Sequence, residues 1–345
     1  MDRHALDLFC RQHRLGRPAI DAALALGGQR PGAAAWRGFA ARLLHAAGLG
    51  ALGAGVLFFV AANWQDYGVL GRFVLLQSAL LVCVGVAVWR PPPQRLGQSA
   101  LLLATLLTGG LLALFGQSYQ TGADLHELFF TWALLALPFA LAGGSGALWA
   151  LWCCVLNVAL ALLCGWAGTG HIVWRLLDGH GIGHAALLML PCLCNLIGAA
   201  LFAGAGKGGF GSAAPPWLVR LLTSFAFAYG TAAGMTVVFE HQAHRELAQI
   251  SAGQGAAVLL TFVLLGAVVA WRALQQRRDV FDLALIAASW IVISTAWLVE
   301  TMSFNDVGGY FLVSFWLVAT STGAGLLLMR WVRAWQAPSG AEVNA

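Results

Sequence analysis

Charge is what this chain has least of. Asp, Glu, Lys and Arg make up 10% of its 345 residues, against about 25% in an ordinary soluble domain, while 60% are hydrophobic. No soluble packing of that length covers so much apolar surface, so lipid is the expected solvent. The apolar runs are about 20 residues long and lack period-two alternation, which excludes barrel strands and leaves helices that satisfy their own backbone hydrogen bonds. Signatures of catalysis are missing too: there is no dinucleotide fingerprint, phosphate loop, Gly-x-Ser-x-Gly or His-Glu-x-x-His. The net charge is +5, but the basic residues are scattered at helix ends with no interleaved aromatic stripe, so no nucleic-acid partner is expected. Cysteine is present without Cys-x2-Cys spacing, which argues against a zinc site or disulfide framework. Cys10, Cys83, Cys153, Cys154, Cys164, Cys192 and Cys194 are expected as small packing residues. A cleavable signal is not expected either, because Asp2, Arg3, Asp7, Arg11, Arg14, Arg17, Asp21 and Arg30 precede the first long apolar run.

What is present reads as an all-α, polytopic transmembrane bundle of about ten spans with a short helical N-terminal head. Residues 1–41 form that head, with two short amphipathic helices broken at Gly16 and restarted with Pro18 in a first-turn position. Arg11, Arg14 and Arg17 share one side of the first, a solvated or headgroup-facing surface or a docking site for a protein partner. Gly27 to Ala35 reads as a linker. The apolar windows predict spans over 43–63, 70–89, 97–115, 126–143, 146–166, 184–205, 217–239, 252–271, 280–299 and 308–329. Residues 42–145 then form a four-helix motif-bearing region, 146–329 a six-helix continuation and 330–345 a tail.

Charge placement gives an orientation. With both termini cytoplasmic, only Arg72, Arg175 and Arg245 of the 19 basic residues fall in outer segments, the bias expected of positive-inside insertion. The inner turn from Gly143 to Gly146 carries no charge, which leaves fusion or re-entry of helices four and five open. The outer rim is acidic and rich in histidine. Ala47, Ala51 and Gly55, and Gly230 with Gly234, set small residues four apart, as close helix contacts require. Trp64, Trp89, Trp217, Trp271 and Trp331 fall near span ends, as interface anchors do.

Two stretches carry a family pattern: FFVAANWQDYGVLGRF at Phe58 to Phe73, and GQSYQTGADLHELFFTWALLALP at Gly116 to Pro138. Together they resemble a family of predicted bacterial inner-membrane proteins classed only as a domain of unknown function. The matching positions are Ala62, Asn63, Trp64, Arg72, Gly116, Gln117, Tyr119, Asp124, Trp132 and Pro138. The resemblance covers roughly the first 145 residues. It implies a multi-pass topology in the bacterial inner membrane, and no reaction or cofactor.

Three outer turns pair an amide with a carboxylate: Asn63 with Asp66, Gln117 and Gln120 with Asp124, and Asn305 with Asp306. With Arg72 and Tyr119 they make a candidate polar outer site, since amide oxygens and carboxylates suit hard cations or polyols. The same residues also cap helices and make turns. His180 with His184, and His241 with His244 beside Glu240, have one-face helical spacing and are weak metal-ligand candidates. Within the spans the polar candidates are Gln77, Asn157 and Asn195, with Asp282 near a helix end and no carboxylate at mid-span. Asn157 and Asn195 suit hydrogen bonds between helices or contact with a solute.

The readings that follow are an integral inner-membrane protein without enzymatic activity, acting as a scaffold or sensor through residues 1–41; a secondary transporter of a small solute; and an outer-face metal-dependent enzyme. Five spans plus five would invert the second half, as in transporters with inverted repeats, although the halves match only in hydropathy.

Overall fold

The structure is a computed structural model. It describes residues 12–13, 16–26, 32–62, 67–119, 122, 124–165, 182–204, 215–243, 248–277, 279–302 and 307–336. The described residues are 93% helical, with no strand among them. Their helices are α1 (Arg17–Leu26), α2 (Ala33–Ala62), α3 (Val69–Trp89), α4 (Arg95–Tyr119), α5 (Leu125–Gly143), α6 (Gly146–Leu163), α7 (Ile182–Gly204), α8 (Pro216–Ala243), α9 (Ala248–Arg272), α10 (Val280–Thr301) and α11 (Val307–Gln336), with a π-helical turn at Ala273–Arg277. Ten of them, α2 to α11, are long and apolar enough to cross a membrane. The chain divides into two compact units, Met1–Cys83 and Val84–Ala345.

In the first unit, α1 places Pro18 at its second position, where the missing N–H breaks no helical bond. Helix α2 begins at Ala33, well before the predicted span. The three alanines at its start are strong helix formers, so the helix runs back through Arg37 and Arg42 into what reads as linker. Hydropathy locates where a helix is buried in lipid; propensity decides where it begins. Leu44 and Phe58 are each 72% exposed within this unit. Ala47, Ala51 and Gly55 are exposed as well, and a Cβ at Gly55 would have nothing within 4 Å.

The second unit holds the packed core. Helices α4, α5 and α6 are joined by two indoles that reach neighbouring backbones. Trp132 of α5 donates Nε1–H to the carbonyl of Thr105 on α4 at 2.8 Å, and Trp152 of α6 donates to that of Ala133 on α5 at 2.7 Å. Gly109 makes the first contact possible, because a Cβ there would run into the Trp132 ring. Helices α5 and α6 are separate and joined by two residues, so they are not fused into one helix. Gly144 adopts the left-handed conformation (φ 56°, ψ 14°) and donates its N–H to Ala140, while the Ser145 hydroxyl accepts from the N–H of Leu148 at 3.3 Å. Gln98 of α4 donates to the carbonyl of Gly143 at 3.1 Å and ties the turn to the first helix of the trio.

Helix α8 is the centre of the larger cluster, with 67% of its apolar window buried. Around it pack Leu188 and Cys192 of α7, Phe262 of α9 and Ile293 of α10. Gly230 and Gly234 act as notches: a Cβ on the first would meet the Phe262 ring, and one on the second would lie 2.5 Å from Ile293 Cδ1. The small residues of α8 therefore admit single large side chains from two different helices. Helix α11 has no buried residue in its apolar window, and Phe315 is 75% exposed.

Candidate functional site

Mid-chain, the sequence puts one amide on α6 and one on α7, and the fold brings them together. Asn157 donates Nδ2–H to Asn195 Oδ1 at 3.0 Å, and Asn195 returns a bond from Nδ2 to Asn157 Oδ1 at 2.7 Å. Each uses its second N–H on the carbonyl four residues back, Asn157 on Cys153 and Asn195 on Pro191, both at 2.8 Å. All four amide hydrogens are thus spent inside the protein. The phenol of Tyr229 on α8 adds a third helix by donating to the Asn157 carbonyl at 2.8 Å. Asn157 is 6% exposed, Asn195 3% and Tyr229 4%.

Pro191 explains a neighbouring contact. Lacking an N–H, it leaves the carbonyl of Leu187 without its helical donor. The Cys164 thiol, just past the end of α6, points at that carbonyl from 3.8 Å. Cys164, Cys192, Cys153 and Cys83 are buried free thiols, in keeping with their reading as packing residues.

Charge gathers at the end of the bundle where α7 and α9 finish and α8 and α10 begin. Arg220 of α8 grips Asp279 through Nε to Oδ2 at 3.3 Å and Nη2 to Oδ2 at 3.2 Å, and its guanidinium lies 5.5 Å from the centre of the Phe281 ring. Asp279 also caps α10, accepting from the N–H of Phe281 at 3.0 Å. Behind this pair, a pocket of about 40 Å³ lies between α7, α8, α9 and α10, and three polar side chains line it: Thr223, Arg272 and Asp282. Arg272 ends α9 and Asp282 lies in the first turn of α10, so each charge complements its own helix dipole. Asp282 is 8% exposed.

The predicted outer residues are placed as follows. Gln117 and Tyr119 belong to the last turn of α4, which runs past the predicted span end, so the polar turn starts later than the sequence suggests. Tyr119 stacks at 5.0 Å on Phe115, one turn earlier, and this aromatic pair extends the helix. Asp124 is the N-cap of α5 without a side-chain capping bond, and it lies 4.0 Å from His126. Arg72 sits in the first turn of α3 and Gln77 is exposed on the same helix. Asn63, Asp66, Gln120, Asn305, Asp306, His180 and His244 lie outside the described residues, and for His184 and His241 only the helical backbone is described. Among the described residues, no three His, Cys, Asp or Glu side chains come together as metal ligands. Sequence reasoning missed the grouping of Thr223, Arg272 and Asp282, although an acid near a helix end was a signal for it.

This is a multi-pass helical membrane protein with a core closed by hydrogen-bonded amides. Residues 8–149 match the model of a family described as "Predicted membrane protein (DUF2157)", and the match takes in both the Ala62–Trp64 and Gly116–Tyr119 motifs. No curated protein and no solved structure matches the chain.

Proposed function

We propose that the chain is an integral protein of the bacterial inner membrane without enzymatic activity. Its spans form a fixed frame that holds residues 1–41 on the cytoplasmic side, where they recruit or sense a protein partner. The observation that carries this reading is the saturated Asn157–Asn195 pair. A solute route needs polar groups with bonds to offer, and these amides have no hydrogen left to give. Deleting residues 1–35 tests the proposal. The truncated chain is expected to insert and melt like the full one while failing to complement a deletion strain. Complementation by the truncated chain would overturn it.

A second reading, a secondary transporter of a small solute, has the pocket beside Asp282 and Arg272 in its favour. It predicts that a cysteine placed at Ala199 is labelled by impermeant thiol reagents from both sides of the membrane in turn. Labelling from one side alone would count against it.

A further inference from the structure

We propose that α3 is the seam of a homodimer in which Gln77 of one copy hydrogen-bonds to Gln77 of the other. Helix α3 has 21 residues, so at about 1.5 Å per residue it matches the thickness of the hydrocarbon core. Gln77 lies about 12 Å from its start at Val69, within one turn of the middle of the span, where an unbonded polar group is costly. Its neighbour Ser78 meets that cost locally, giving its hydroxyl to the carbonyls of Val74 and Leu75. Gln77 does not. Its side chain is exposed, and among the described residues none is hydrogen-bonded to its amide.

The residues around it have the spacing of a seam. Leu70, Val74, Gln77, Leu81, Val84 and Val88 follow one another at alternating steps of four and three, the a and d positions of a heptad. Leu70, Val74, Leu81 and Val88 are each between 56% and 78% exposed, and Val84 is half-buried. The buried residues of α3 are Leu76, Cys83 and Ala87, and all three lie about 100° round the helix to one side of Gln77. The helix therefore packs within its own chain on that side and leaves the heptad stripe clear. A second copy is the occupant that fits it. Insertion gives every copy the same orientation, so two α3 helices run parallel and meet residue for residue at equal depth about a two-fold axis. A glutamine carries both donor and acceptor and is its own complement, and Asn157 with Asn195 shows the same reciprocal amide exchange in the core. Acyl chains can cover the leucine and valine of this stripe, but they offer the amide no bond. A lone polar residue on a seam also fixes its register.

The test uses the purified full-length chain, carrying donor or acceptor fluorophores at its C terminus, in phosphatidylcholine vesicles over a range of protein-to-lipid ratios. Energy transfer between copies is expected to rise with protein density as a monomer–dimer equilibrium does. Gln77→Leu is expected to raise the dissociation constant about threefold to tenfold, and Gln77→Asn, which keeps an amide, to stay close to the original value. Leucine favours insertion, so a loss with that variant is a loss of association and not of folding. Oxidation of Leu81→Cys is expected to give a covalent dimer in excess of that from the unsubstituted chain. Val82→Cys, at a residue 64% exposed but turned about 100° from Leu81, is expected to give no excess. Absence of energy transfer at every ratio, a dissociation constant unchanged by Gln77→Leu, or equal cross-linking at 81 and 82 would overturn the proposal.

Discussion

Asn157 and Asn195 face each other across α6 and α7 and exchange two hydrogen bonds of 3.0 and 2.7 Å, so that neither amide is satisfied without the other. Replacing either one by leucine takes from its buried partner the bonds that cross between the helices. Each single change is expected to cost about 1 kcal/mol, the scale of hydrogen bonds between membrane helices. The double replacement is expected to cost less than the sum of the singles, because both polar groups leave together. Unfolding of the four proteins in mixed micelles checks this; strictly additive costs would contradict the pairing.

Gly109 and Trp132 make a second coupled pair. Gly109→Val is expected to destabilise the α4–α5 contact by about 1–3 kcal/mol, because the side chain enters the volume of the indole. Trp132→Leu removes both the ring and its bond to Thr105, and it should make the valine nearly harmless. Melting temperatures of the singles and the double give the answer, and an undiminished valine penalty in the double would refute the contact.

The α5–α6 turn allows a test of backbone conformation. Gly144→Ala forces an L-residue to φ 56° and is expected to cost about 1 kcal/mol. Ser145→Ala, which removes the acceptor for the Leu148 N–H, should cost about as much. Replacing Gly55, beside which a Cβ would find open space, should cost little and serves as the control. Chemical denaturation distinguishes the three.

The proposed orientation has its own measurement. Reporters fused after residue 92 and after residue 145 are expected to read the same side as residue 20, and those after residues 122 and 305 the opposite side. A fusion at 122 reading with residue 20 would reverse the outer and inner assignments.

Most of the architecture was legible in hydropathy, because lipid makes a run of apolar residues unambiguous. Helix ends were less so. At Ala33 and Tyr119 the chain stays helical beyond the apolar window, through alanine propensity in one case and an aromatic pair one turn apart in the other. Asn157 and Asn195 stood out as polar groups in apolar runs, and their mutual bond follows from the cost of leaving either unpaired. The notch at Gly109 was not legible, since nothing in the neighbouring sequence says that an indole from the next helix lies there. Nor was the pocket. Thr223, Arg272 and Asp282 come from three helices, and only packing sets them side by side.

The two-residue link between α5 and α6 bears on how the protein is made. Gly144 and Ser145 offer no charge for the membrane to hold on one face, and two residues leave no slack for one helix to settle while the other waits. In the proposed orientation these two spans are expected to enter the bilayer as a single closed hairpin whose tip stays on the cytoplasmic side. An arginine engineered at the tip would agree with that placement and leave the yield unchanged, its effect confined to the melting point.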